Sequence, residues 1–149
     1  MWPVDGKFRP AQRELLQVVL DYRNAVITRI RPGAIVQQIM EEARKAMEPI
    51  LAKTKFSKPA YEQAARTLVE RGGGVFSHPV GMSVHDDGDY TQGPLQPGQV
   101  FSIDPAIRVP EENLYLRYED VVLVTATGYE NFTAFLPSEL NDLEKMPQK

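Results

Sequence analysis

The sequence predicts an α+β fold in which helices come first and an antiparallel sheet follows. Up to about Arg71, apolar residues recur every three or four positions, the spacing of one helical face. After Gly74, β-branched and aromatic residues take over in short runs separated by turn residues. The two kinds of segment are grouped and do not alternate, which favours α+β over a parallel α/β sheet.

Composition sets the outer limits. The 149 residues suit one domain, and 42% hydrophobic with 25% charged residues is ordinary for a globular chain with a real core. A net charge of −3 with no Lys/Arg stripe argues against a nucleic-acid partner. No apolar run approaches the ~18 residues needed to cross a membrane. Residues Met1 to Lys7 hold no apolar stretch of a secretory signal. With no cysteine, disulfide and thiolate chemistry drop out, and a cytoplasmic setting is expected.

Met1 to Val4 read as the tail of a strand, closed by an Asp5-Gly6 turn. Pro10 opens the first helix, whose stripe is Leu15, Val19, Tyr22, Val26 and Ile30, and Arg31-Pro32-Gly33 stops it. The second carries Ile35, Ile39, Ala43 and Met47 and is expected to end between Pro49 and Leu51. Ser57 caps the third, Pro59 starts it, and it runs to about Arg71. Gly72-Gly73-Gly74 follows a helix, so it reads as a terminator; a phosphate cradle would precede one. Strands are expected at Val75-Phe76, Val100 to Ile107, Leu114 to Val124 and Asn131 to Ala134. Thr127-Gly128 is a turn, and Pro137 to Lys149 a short acidic helix with a frayed end.

Chemistry is concentrated in the second half. Val109 to Asn113 is rich in turn residues, and a hairpin centred between Glu111 and Glu112 sets Asp104 opposite Glu119, roughly 5 Å apart at Cβ. Two carboxylates that close need a cation or proton between them. Arg117, two residues before Glu119, shares its face. The plainer reading is a surface hairpin with cross-strand acids. Both histidines of the chain, His78 and His85, lie just upstream. Their odd spacing sends them to opposite faces of a regular strand, and Pro79 with Gly81 excludes a continuous helix. They share a pocket only if the chain bends, which Gly81 and Met82 permit; otherwise either is a structural histidine.

Three ordered motifs then show a resemblance: Ser77-His78-Pro79-Val80-Gly81-Met82-Ser83-Val84-His85-Asp86, Leu95 to Pro105, and Arg117-Tyr118-Glu119-Asp120. Together they resemble the pita-bread metallopeptidases, in the Xaa-Pro aminopeptidase and prolidase branch. His85-Asp86 and the Arg-x-Glu-Asp pattern favour that branch, and Trp2 to Phe8, Gln12 to Leu15 and Arg31-Pro32-Gly33 fit it. The resemblance implies an incomplete pita-bread domain over 1–149 and hydrolysis of peptide bonds next to proline. It assigns divalent metal (Mn, Co or Zn) to His78, Asp104 and Glu119. It makes His85 the residue that binds substrate or steadies the tetrahedral intermediate, with Arg117 as its electrostatic support.

Three departures qualify that reading. The family's two aspartate ligands lie upstream of the segment matching Met1 to Val4, so a truncated site with impaired activity is expected. Asp104 stands where the family has glutamate, shorter by one C–C bond of ~1.5 Å, whereas metal–oxygen distances tolerate about 0.2 Å. Gly74 replaces a further histidine. Two carboxylates balance one dication, so at most one metal per chain is expected, and none is an alternative. A non-catalytic module that binds peptides or proteins in the same cleft is the second reading, and metal-independent hydrolysis with His78 as base the third. An unpaired edge on the first strand would recruit other chains, so a homodimer or larger assembly is expected.

Overall fold

The structure, a computed structural model, describes residues 2–72 and 74–146. Three helices precede the sheets: α1 (Pro10–Ile27), α2 (Val36–Lys53) and α3 (Pro59–Arg71). The strands are β1 (Phe76–Pro79), β2 (Val100–Ile103), β3 (Ala106–Val109), β4 (Leu114–Arg117), β5 (Asp120–Val124) and β6 (Tyr129–Asn131), and α4 (Leu140–Leu143) closes the fold. Every strand pairing is antiparallel. One sheet has the order β1-β2-β5-β6, and β3-β4 form a separate ribbon.

Helix α1 is the hub, packing on α2, α3 and the β3-β4 ribbon. Leu15, Leu16, Val18, Val19, Leu20, Tyr22, Val26 and Ile27 are all buried, so its apolar face is wider than a single stripe. Each such side chain contributes about 1.5–3 kcal/mol by leaving water. The helix starts at Pro10, where the Gln12 amide oxygen accepts the free Arg9 N–H at 2.8 Å. It stops at Ile27, short of Ile30, because the Thr28 hydroxyl and the Arg29 guanidinium bond the carbonyls of Asn24 and Ala25. Ile30 is nonetheless buried.

Helix α2 passes through Pro49 and continues to Lys53, beyond the expected stop. At α3 the cap position belongs to Lys58, in an extended conformation, and not to Ser57, whose N–H donates to Glu14 Oε1 at 2.9 Å. Gly72 ends α3 in the left-handed region at φ 56, as expected of a terminating glycine; Gly73 is outside the described residues.

Four sheet expectations need correction. Trp2 to Val4 form no strand: the Gly6 N–H donates to Pro3 O at 3.2 Å, closing a turn; Met1 is outside the described residues. The run Val100 to Ile107 is two strands in two sheets, and so is Leu114 to Val124. Pro105 has no N–H to give a ladder, and the chain bends there. The last strand is Tyr129–Asn131, because the Asn131 side chain accepts the Thr133 N–H at 2.9 Å and turns the chain.

Candidate active site

One register runs through both sheets. Ile103 pairs with Asp120 in the four-stranded sheet and Ala106 with Arg117 in the ribbon, on the same constant residue sum. Continued across the bend, that sum sets Asp104 opposite Glu119 and Pro105 opposite Tyr118. The Tyr118 N–H donates to Pro105 O at 3.2 Å, and the Asp104 N–H to Val75 O at 2.8 Å, so the corner is pinned on both strands. Arg117, the last residue of the ribbon ladder, donates from Nη1 to Asp104 Oδ2 at 3.1 Å and from Nη2 to Glu119 Oε2 at 2.8 Å.

The histidines join this corner from β1 and the loop after it. His78 Nδ1 lies 3.2 Å from Pro79 O, and a carbonyl can only accept, so Nδ1 carries the proton. In the neutral ring Nε2 is then free, and it faces Glu119 Oε1 at 3.8 Å. The Pro79 carbonyl also accepts the Asp86 N–H at 3.1 Å, folding residues 80–86 back on themselves. His85 is thereby brought edge-on to His78, with ring centroids 4.2 Å apart at 89°. All five expected residues, His78, His85, Asp104, Arg117 and Glu119, therefore occupy one corner.

Two residues that build it, Asp86 and Asp120, stand in the quoted motifs, but sequence reasoning gave them no role in the site. Asp86 is the brace of the loop: Oδ2 accepts the Met82 N–H at 2.9 Å and Oδ1 the Asp87 N–H at 3.0 Å. Gly81 lies beneath it, where a Cβ would come 2.1 Å from Asp86 Oδ2. A glycine five residues before an aspartate in a histidine-bearing loop was the available signal. Asp120 anchors the other side. It accepts two bonds of 2.6 Å from Arg23 and one each from Asn131 and Thr133.

The electrostatics are uneven. Burial raises the Asp104 carboxyl, Arg117 pulls it down, Glu119 adds to the rise and His78 opposes it; the outcome is a raised value. Its Oδ1 atom is buried and has no hydrogen-bond partner. Burial would lower Arg117, but Asp104 and Glu119 hold it above its ordinary value, so it stays a cation. Beside the corner, α3 and the ribbon enclose a groove of about 690 Å³ that Asp104, Arg117, Arg108 and Arg71 help to line.

Imidazole and carboxylate are suitable donors for a divalent metal, but here their arrangement is not. Two oxygens on one ion lie within about 2.0–2.6 Å of a single point. Arg117 instead stands between Asp104 and Glu119 with a different nitrogen on each. Among the described residues, no group of three His, Cys, Asp or Glu is placed to hold a metal ion. The counter-ion of the pair is arginine.

Residues 1–126 match Metallopeptidase family M24. The chain belongs to that family. It is 34% identical, over 97% of its own length, to Xaa-Pro aminopeptidase 3 of Mus musculus, and 31% identical over 97% to Xaa-Pro aminopeptidase of Escherichia coli K12. Among solved structures it resembles proline aminopeptidase P II from Yersinia pestis, with 35% identity and a TM-score of 0.71 over 96% of the chain. These matches assign the pita-bread architecture to its helices and antiparallel sheets. The chain spans about a third of each relative: 31% and 36% of the two aminopeptidases and 36% of the Yersinia structure. One solved relative is a zinc-substituted aminopeptidase P from E. coli with product bound.

Proposed function

We propose that this domain carries part of the active site of an Xaa-Pro aminopeptidase or prolidase-type hydrolase, and receives peptides at the bond next to proline. The convergence of His78, His85, Asp104, Arg117 and Glu119 on one corner of a family M24 chain supports this above all. In this reading His85, exposed at the corner, binds the peptide and donates to the oxygen that gains charge as the amide carbon becomes tetrahedral. Arg117 supports the same charge. His78, Asp104 and Glu119 are the donors for Mn, Co or Zn, at most one ion per chain, and only after Arg117 is displaced. A bound ion would supply water activation.

Arginine between the carboxylates favours a second reading, a metal-free module that binds proline-containing peptides in the same cleft. A cytoplasmic setting is part of both readings as a proposal; among the described residues no helix is long and apolar enough to cross a membrane. Both allow a homodimer or larger assembly. The edge at residues 2–4 does not support one; the support is β6, a sheet edge flanked by exposed Phe132, Phe135 and Leu136.

Titration calorimetry with an Xaa-Pro tripeptide and its Xaa-Ala counterpart, plus an assay for N-terminal residue release with and without MnCl2, separates the readings. Release that needs manganese supports the hydrolase. Proline-selective binding without release supports the module. Absence of both rejects the site.

A further inference from the structure

We propose that Arg117 is a wedge that keeps divalent metal out of the corner: its guanidinium holds Asp104 and Glu119 apart, and a dication binds only when that side chain is withdrawn. The proposal rests on the reading above for the identity of the donors and goes beyond it in naming what controls their loading.

The geometry carries the first step. The guanidinium is a rigid planar fork whose donors point outward in different directions. Nη1 takes Asp104 and Nη2 takes Glu119, at 3.1 and 2.8 Å, so the carboxylates grip opposite parts of one cation. A metal needs them on one point. Guanidinium and dication cannot both sit between the two acids, and like charge adds to the exclusion.

A second observation shows that arginine leaves the corner incompletely served. Asp104 Oδ1 is buried without a donor, and Glu119 Oε1, the oxygen that Arg117 does not take, lies 3.8 Å from His78 Nε2. Arginine thus leaves over one atom of each expected ligand, and while it stands between the acids no three of the described residues are placed to hold a metal ion. A buried acceptor without a partner is costly, so the corner retains an unmet demand for positive charge.

The third observation is that the wedge is only partly buried and borders open space. The Arg117 side chain is 40% exposed, against 11% for Asp104, and it also lines the groove between α3 and the ribbon. It can swing into that groove without opening the core, because its neighbour Leu116 is buried and holds β4 in place.

The test is Mn²⁺ titration of the full 149-residue chain, read by loss of the free-ion EPR signal, with no peptide present. Arg117→Gln removes the charge and the fork, and is expected to bind one Mn²⁺ at least tenfold tighter than the unmodified chain. Arg117→Lys keeps a point charge but cannot bridge, so it falls between the two. Asp104→Asn in the Arg117→Gln background cancels the gain. Equal or weaker Mn²⁺ binding by Arg117→Gln overturns the proposal. If circular dichroism shows that variant misfolded, Arg117→Lys decides: tighter binding than the unmodified chain supports the wedge, and equal or weaker binding rejects it. Failure here leaves peptide recognition intact, and loss of peptide recognition leaves this result intact.

Discussion

Asp104 and Arg117 meet side chain to side chain at 3.1 Å, at the corner where both strands of the long hairpin change sheets. The contact does not fully compensate the carboxylate, which burial raises in spite of Arg117 and whose Oδ1 finds no donor. A carboxyl with a raised folded-state value favours the native state at low pH, and that contribution is lost as pH rises through the folded value. Asp104→Asn is therefore expected to gain thermal stability relative to the unmodified chain as pH climbs from the ordinary aspartate range to neutral. Below that range the two should melt together. Scanning calorimetry from pH 3 to 7 tests it; a variant that loses ground as pH rises would show that the Arg117 pair outweighs burial.

Asp120 is the opposite case. Burial alone would raise it, but Arg23, Thr133 and Asn131 hydrogen bonds hold it below the usual value. Its contribution is present above the unfolded value and lost as pH falls through the folded one. The side chains of Arg23 and Asp120 are only 12% and 5% exposed, so removing one partner strands a buried charge. Asp120→Ala should cost about 3–5 kcal/mol in urea unfolding at pH 7. A loss below 1 kcal/mol would mean that the pair is far better solvated than its burial indicates.

Gly81 separates the loop from the core. A Cβ there would meet Asp86 Oδ2 at 2.1 Å, displacing the brace that closes residues 80–86. The loop around it is exposed, with Met82 and Val84 among its tips, so little buried surface is at stake. Gly81→Ala should change the unfolding free energy by less than about 1 kcal/mol, in the range of exposed-site substitutions. It should also weaken Xaa-Pro tripeptide binding at least tenfold in calorimetry by moving His85. Unchanged peptide affinity would show that His85 does not depend on this closure.

Much of this was legible because it depends on period and register. The spacing of Leu15, Val19, Tyr22 and Val26 gives α1, and the turn at Val109 to Asn113 sets the register that brings Asp104 and Glu119 together. What was not legible depends on atoms distant in sequence. Asp104-Pro105 and the polar run Arg117 to Asp120 interrupt the apolar pattern, but residue types alone do not say that the chain passes there from one sheet to another. The shared pocket of His78 and His85 turns on a single carbonyl, Pro79, accepting from both ends of the loop. Trp2 to Val4 have strand-like residues but form no strand among the described residues, and residue pattern does not say whether a segment finds a pairing partner.

His78 and His85 are the only histidines in the chain, which makes one spectrum decisive. In long-range 1H–15N correlation spectra recorded while an Xaa-Pro tripeptide is added, both rings should shift together along one binding curve. Rings that stay still while the peptide binds, or that follow different curves, would contradict a single peptide site built at this corner.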